Sequence, residues 1–130
     1  MGFDTERWLD EAVLVLPVAG NTTIRQGAIV VVDGGYAKEA PGSATAIAAG
    51  RAEADVDNTG GTDGDKTVLV RRGVFRLQVD PADPVGPADL LKEVYLSGPD
   101  SVAKTDGTGT RPKAGRLLSL EGGYAWVEVK

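Results

Sequence analysis

Two stretches of this sequence follow the same order of residue types, and they decide the predicted fold class. Residues 29–38 (IVVVDGGYAK) run from an apolar segment through a glycine turn to a short segment that ends in Ala-Lys. Residues 94–104 (VYLSGPDSVAK) have the same order. A small-residue loop leads from each stretch to the tripeptide Ala-Gly-Arg, at 49–51 and 114–116. Apolar runs on both sides of a glycine turn indicate β-hairpins.

A third turn has a similar sequence, because residues 121–125 (EGGYA) differ from residues 33–37 (DGGYA) only in the first residue. Glycine turns also recur by chance in all-β proteins. The similarity therefore indicates either a true internal repeat or hairpins whose turn sequences are alike by chance.

Short apolar runs elsewhere in the chain predict further strands. Residues 13–16 form such a run, which Pro17 stops. Residues 66–79 look like the clearest strand pair, because apolar and polar residues alternate on both sides of a tight turn or bulge at residues 71–73. Residues 117–120 and 125–129 predict a closing hairpin.

The sequence predicts an all-β fold: a small single-domain β-barrel-like or β-sandwich structure with one or two short helical turns. Residues 44–56 are rich in alanine and would permit a helix, but Gly50 and the repeated Ala-Gly-Arg favour a strand. Residues 87–91 suit one helical turn that begins with proline, and residues 5–10 suit another. We expect an N-terminal arm at residues 1–11 and the β domain at residues 12–130.

Composition argues against several classes of function. The chain has 130 residues, a net charge of −5, no cysteine and no histidine. Without those two residues it lacks the commonest general base, the commonest metal ligand and any thiol nucleophile. An acidic chain is a poor partner for nucleic acid, and no apolar run approaches the roughly 18 residues of a membrane span. We expect neither an enzyme, nor a cofactor, nor a nucleic-acid or membrane partner.

One acidic loop, at residues 55–66, deserves comparison with a calcium-binding loop. Counting from Asp55, oxygen-bearing side chains fall at the first, third, fifth and ninth positions and glycine at the sixth. The twelfth position needs a bidentate glutamate and holds Lys66 instead. The sequence therefore predicts a solvated loop between strands and no metal site.

Two groups of residues are candidates for binding a partner, and a third group has two possible roles. Large apolar side chains in a short charged arm make good anchors, and neighbouring arginines suit an anionic surface. The arm is expected to lie against a neighbouring chain, either another copy or a partner, with its own domain as the alternative. The candidate partner-binding residues are Phe3, Arg7, Trp8, Leu9, Arg71 and Arg72. Phe75, Tyr95 and Trp126 are candidates for an oligomer interface or for the core.

Several segments resemble the capsid decoration (cement) proteins of tailed phages. Residues 63–76 (DGDKTVLVRRGVFR) resemble the central strands of that family. Its later part is similar to residues 92–96, 101–104 and 114–120 and to the closing strand at 124–129. The resemblance spans residues 12–130 and rests on patterns of strand and turn. The arm has no family motif to match.

The resemblance implies a structural protein rather than an enzyme. It implies an all-β barrel-like domain, often a homotrimer, that binds the major capsid protein on the outer surface of the assembled head. The protein would then be part of the virion, and in the host cytoplasm during assembly. The alternative is a small β-barrel module that binds a ligand or a peptide.

Overall fold

The protein is built from short β-strands that are joined by turns. The computed structural model describes residues 13–129. The strands are β1 Val13–Pro17, β2 Thr23–Ile24, β3 Ile29–Asp33, β4 Tyr36–Glu39, β5 Ile47–Ala52, β6 Val56–Asp57, β7 Thr67–Arg71, β8 Gly73–Val79, β9 Glu93–Gly98, β10 Ser101–Ala103, β11 Lys113–Glu121 and β12 Tyr124–Val129.

The all-β prediction is confirmed. Within residues 13–129 the one helical element is a 3-10 turn at Pro87–Asp89, inside the predicted turn at residues 87–91. No helix in this part of the chain has the length and apolar composition of a membrane span. The predicted turn at residues 5–10 lies outside the described residues.

Two five-stranded units repeat one plan. The first half uses β1, β3, β4, β5 and β7, and the second half uses β8 to β12. In each half the first strand pairs with the fifth, the fifth with the fourth, the fourth with the second, and the second with the third. A parallel contact returns from the third strand to the first, between Ala37 and Val18 in one half and between Val102 and Val79 in the other. The likeness between residues 29–38 and 94–104 is therefore part of a structural repeat.

The pairing registers of the two halves match at several equivalent positions. Val30 lies opposite Gly50, as Val94 lies opposite Gly115. On the next strand pair, Arg71 lies opposite Arg51, and Glu128 lies opposite Arg116. The equivalent outer positions are Val13 and Val74, Val15 and Arg76, Leu69 and Trp126, Arg51 and Arg116, and Arg71 and Glu128.

The two Ala-Gly-Arg tripeptides hold the same unusual backbone. Gly50 and Gly115 have φ angles of 151° and 148°, which side-chain-bearing residues rarely adopt. A Cβ at Gly50 would collide with the carbonyl oxygen of Arg71, and a Cβ at Gly115 would collide with that of Glu128. Glycine is therefore required where the fourth strand approaches the fifth strand in each half.

Two apolar clusters fill the protein. The first lies inside the first half and includes Val30, Val68 and Val70. The second fills the barrel of the second half, and it also contains Ile29 and Val31 from β3 of the first half. Each fully buried side chain of this size contributes about 1.5–3 kcal/mol. The shared cluster joins the two halves into one domain.

The prediction that residues 66–79 form a strand pair is wrong. β7 pairs with β1 and β5, whereas β8 pairs with β12 and β10. Arg72 is therefore the crossover from one half to the other and not a hairpin turn. Alternation of apolar residues predicts strands, but it does not reveal the partner of each strand.

The structure also answers two other questions, on residues 44–56 and on the two similar glycine turns. Residues 44–56 form β5 and β6 and no helix, as predicted. The turns at residues 33–36 and 121–124 both place two glycines at positive φ, but they join β3 to β4 and β11 to β12. The two turns occupy different places in the structural repeat, so their similar sequences reflect the requirements of a tight hairpin and not the repeat.

Candidate binding surfaces

An apolar surface is formed by the outward side chains of β1 and β7. Val15 lies opposite Leu69, and Val13 lies one pleat away on the same face. Their exposed fractions are 62% for Val15, 48% for Leu69 and 38% for Val13. We call these three residues the strand face. Contiguous exposed apolar side chains on a rigid sheet are typical of protein interaction sites.

An arginine row borders the strand face. Val13 lies opposite Arg71, and Arg71 lies opposite Arg51. Glu53 links the two arginines: its Oε1 accepts a hydrogen bond of 2.7 Å from Nε of Arg71, and its Oε2 lies 3.8 Å from Nη2 of Arg51. One carboxylate thus serves two guanidinium groups, which suits an anionic partner on this side of the sheet.

A cleft opens where the first half meets β8, and its volume is about 440 Å³. We call it the junction cleft. The guanidinium of Arg51 lies over the Phe75 ring at 5.3 Å, and that of Arg76 lies over the Tyr124 ring at 4.4 Å. Cations over aromatic faces are held by electrostatic attraction to the ring. The lining includes Ile29, Arg51, Val74, Phe75, Arg76 and Trp126.

A second hollow of about 390 Å³ continues the junction cleft past Gly27 and Asp100, which line both. Arg25 lies there and pairs with Glu39, since its Nε and Nη2 donate to the two oxygens of that carboxylate at 2.9 Å each. These bonds lower the pKa of Glu39. The two hollows together form an elongated groove between the halves.

The carboxylates of the acidic loop at residues 55–66 accept hydrogen bonds from backbone amides, both within the loop and in neighbouring segments. Asp55 accepts from the Gln26 amide at 2.7 Å, Asp57 from the Thr59 amide at 3.0 Å, and Asp65 from the Thr62 amide at 2.9 Å. The hydrogen bond from the Thr59 hydroxyl is the main reason why the pKa of Asp57 is lowered. Each carboxylate thus has its own partner.

Asn58 is the buried centre of that loop. Its side-chain amide donates to the carbonyl oxygens of Ala19 at 3.0 Å and of Thr62 at 3.1 Å. No group of three or more potential metal ligands occurs within residues 13–129. The arrangement is that of a structural loop held by hydrogen bonds of its own side chains.

The structure separates the candidate residues into three places. Arg71 belongs to the arginine row, and Arg72 is the crossover beside it. Phe75 and Trp126 both line the junction cleft, and Phe75 also packs against the second-half core. Tyr95 is half-buried on β9, away from the cleft. Phe3, Arg7, Trp8 and Leu9 lie outside the described residues.

Sequence reasoning missed the strand face and Arg51. Val13, Val15 and Leu69 read as ordinary strand residues, and only the pairing of β1 with β7 makes them one exposed surface. The signal for Arg51 was present, because it follows the glycine of a repeated tripeptide, but its contact with Phe75 joins distant parts of the chain.

Comparison with protein-family models, with curated proteins and with solved structures found no match for this chain. The function is therefore argued from the surfaces described above and from the resemblance noted in the sequence.

Proposed function

We propose that this protein is a capsid decoration protein of a tailed phage. It would bind the outer surface of the assembled head and stabilise contacts between major capsid subunits. The observation that carries the proposal is the strand face, an exposed apolar surface on a rigid all-β domain. The same proposal is supported by the resemblance of residues 63–76, 92–96, 101–104, 114–120 and 124–129 to capsid decoration proteins.

Physical considerations favour a repeated structural contact over a single tight one. The three side chains of the strand face are only about half exposed, so burying all of them would contribute a few kcal/mol in total. A symmetric oligomer on a symmetric shell multiplies such contacts, and avidity makes weak contacts tight. We therefore propose a homotrimer. The net charge of −5 keeps the protein away from packaged DNA and suits the outside of the virion.

The N-terminal segment belongs to the same proposal. Phe3, Arg7, Trp8 and Leu9 are proposed to bind a neighbouring chain, either the capsid or another copy. No catalytic step, cofactor or nucleic-acid contact is proposed.

The test uses heads of the phage that encodes the protein, assembled without it. Purified protein is mixed with these heads and sedimented, and we expect saturable binding with a fixed number of copies per head. Val15→Asp places a charge in the strand face and should weaken binding at least tenfold. Ile47→Asp is the matched control, because Ile47 is apolar and 69% exposed but lies outside the strand face.

Two results would contradict the proposal: no saturable binding by the wild type, or equal binding by the two variants. Light scattering coupled to gel filtration measures the oligomeric state separately. A trimer is expected there.

The junction cleft favours a second candidate function, a small β module that binds a ligand or a peptide. Its volume of about 440 Å³ falls within the range of small-molecule and peptide sites, and it combines apolar walls with arginines. Capsid binding remains the first proposal because the resemblance implies it.

A further inference from the structure

We propose that the junction cleft binds an extended peptide segment that carries carboxylate side chains, and that this segment adds to the free edge of β8 as an extra strand. The inference rests on the second candidate function, to which it gives a ligand class. It does not depend on capsid binding.

The first argument is the unpaired main chain of β8. The amide of Gln78 donates to the carbonyl oxygen of Asp100 at 2.8 Å, on the side away from β12. Main-chain groups alternate along a strand, so those of Val74 and Arg76 point to the same side. β10 reaches only Gln78 and Val79, and no main-chain group within residues 13–129 pairs with Val74 or Arg76 on that side. Such an edge is a template for strand addition.

The second argument is the state of the arginines. Three of the seven arginines within residues 13–129 line the groove, namely Arg25, Arg51 and Arg76, and Arg71 lies opposite Arg51 on the neighbouring strand. Arg25 and Arg71 have close carboxylate partners. The Arg51 side chain is 43% exposed and, among the described residues, only its Nη2 lies near a carboxylate, at 3.8 Å from Oε2 of Glu53, while Arg76 is exposed. A carboxylate in the cleft can therefore reach both guanidinium groups and form charge-assisted hydrogen bonds with them.

Shape and lining distinguish a peptide from a small anion. The groove is elongated, since two hollows share Gly27 and Asp100. Phe75, Trp126 and Val74 provide apolar walls that a free phosphate would not use. Asp100 disfavours a carboxylate at its end of the groove, so the acidic side chains are expected beside Arg51 and Arg76. In an extended peptide every second side chain points to the same face, so one face of the peptide can contact this surface.

The test measures fluorescence anisotropy with the full chain. The probe is a fluorescein-labelled hexapeptide of alternating threonine and glutamate, and its control has glutamine in place of glutamate. We expect saturable binding of the acidic peptide and at least tenfold weaker binding of the control. Arg51→Gln and Arg76→Gln should each weaken binding at least tenfold. Arg116→Gln is the matched variant, because Arg116 is the equivalent of Arg51 in the other half, and it should bind as the wild type does.

Three results would overturn the proposal. These are the absence of saturable binding, equal binding of the glutamine peptide, and binding that Arg51→Gln and Arg76→Gln leave unchanged. Displacement of the peptide by an equal concentration of inorganic phosphate would instead show a small-anion site.

Hydrogen exchange tests the strand addition itself. The amides of Val74 and Arg76 should gain protection when the acidic peptide binds, whereas the amide of Phe75 already faces β12 and should not change. Binding without that protection would overturn the strand addition. Because the probe is a peptide and not a head, failure here leaves the cosedimentation result of Val15→Asp unaffected.

Discussion

The two halves of the molecule share their interior and differ on their outer faces. The positions of Val30, Val70 and Ala49 in the first half correspond to those of Val94, Val127 and Ala114 in the second, and all six are buried. Outside, Val15 corresponds to Arg76, Leu69 to Trp126 and Arg71 to Glu128. Both halves therefore use the same arrangement of strands and buried residues, which we call the shared frame, and they differ in their exposed side chains.

That difference suggests a division of labour. At two equivalent outer positions the first half presents Val15 and Leu69, whereas the second half presents Arg76 and Trp126 beside the junction cleft. If the shared frame is structural, substitutions at equivalent frame positions should have similar effects in the two halves. If the outer positions bind partners, substitutions at equivalent outer positions should have different effects.

The largest effect is expected at the glycine that both halves require. Gly50→Ala and Gly115→Ala should each lower the free energy of unfolding by about 4 kcal/mol, because the new Cβ meets a backbone carbonyl at an unfavourable φ. Denaturant titration measures the loss. Gly86→Ala is the control, since nothing lies within 4 Å of the position of its Cβ. A large loss at one of the two glycines alone would break the equivalence of the halves.

A smaller loss is expected at Asn58, which belongs to the first half only. Asn58→Ala removes a buried side chain together with its two hydrogen bonds to the carbonyl oxygens of Ala19 and Thr62. The cost should be about 2 kcal/mol in the same titration. Thr59→Ala, in the exposed part of the same loop, should cost less. If Asn58→Ala were neutral, the acidic loop would not support the first half.

Acid should destabilise the protein through carboxylates in both halves. Hydrogen bonds from Thr59 lower the pKa of Asp57, and those from Thr105 lower the pKa of Asp83. A lowered pKa in the folded state means that the stabilisation is present above the unfolded value and is lost as pH falls through the folded value. The melting temperature should stay flat from about pH 5 to 8, since histidine is absent, and fall below about pH 4. Asp57→Asn and Asp83→Asn should each reduce that fall, and a marked transition between pH 6 and 7 would contradict this reading.

The smallest effect is expected from metal removal. The carboxylates of the acidic loop are occupied by backbone amides, so a chelator should leave the melting temperature unchanged. A drop of several degrees would show that the loop holds a cation and that the first half depends on it.

Sequence reasoning recovered the local structure well and the long-range pairing poorly. Alternation and glycine turns located β7, β8 and the closing hairpin, because these signals are carried by neighbouring residues. They could not show that Arg72 is a crossover, since strand partners are fixed by the shared core. For the same reason the strand face was invisible in the sequence, and the role of Phe75, Tyr95 and Trp126 in an oligomer interface or the core stays a prediction.

The most direct test of the account exchanges equivalent outer residues between the halves. Val15→Arg gives the first half the side chain of the second, and Arg76→Val does the reverse, so neither change touches the shared frame. Cosedimentation with heads assembled without the protein measures the effect of each. The account predicts that Val15→Arg weakens head binding at least tenfold while Arg76→Val binds as the wild type does. Unchanged binding by Val15→Arg, with loss in Arg76→Val, would contradict it.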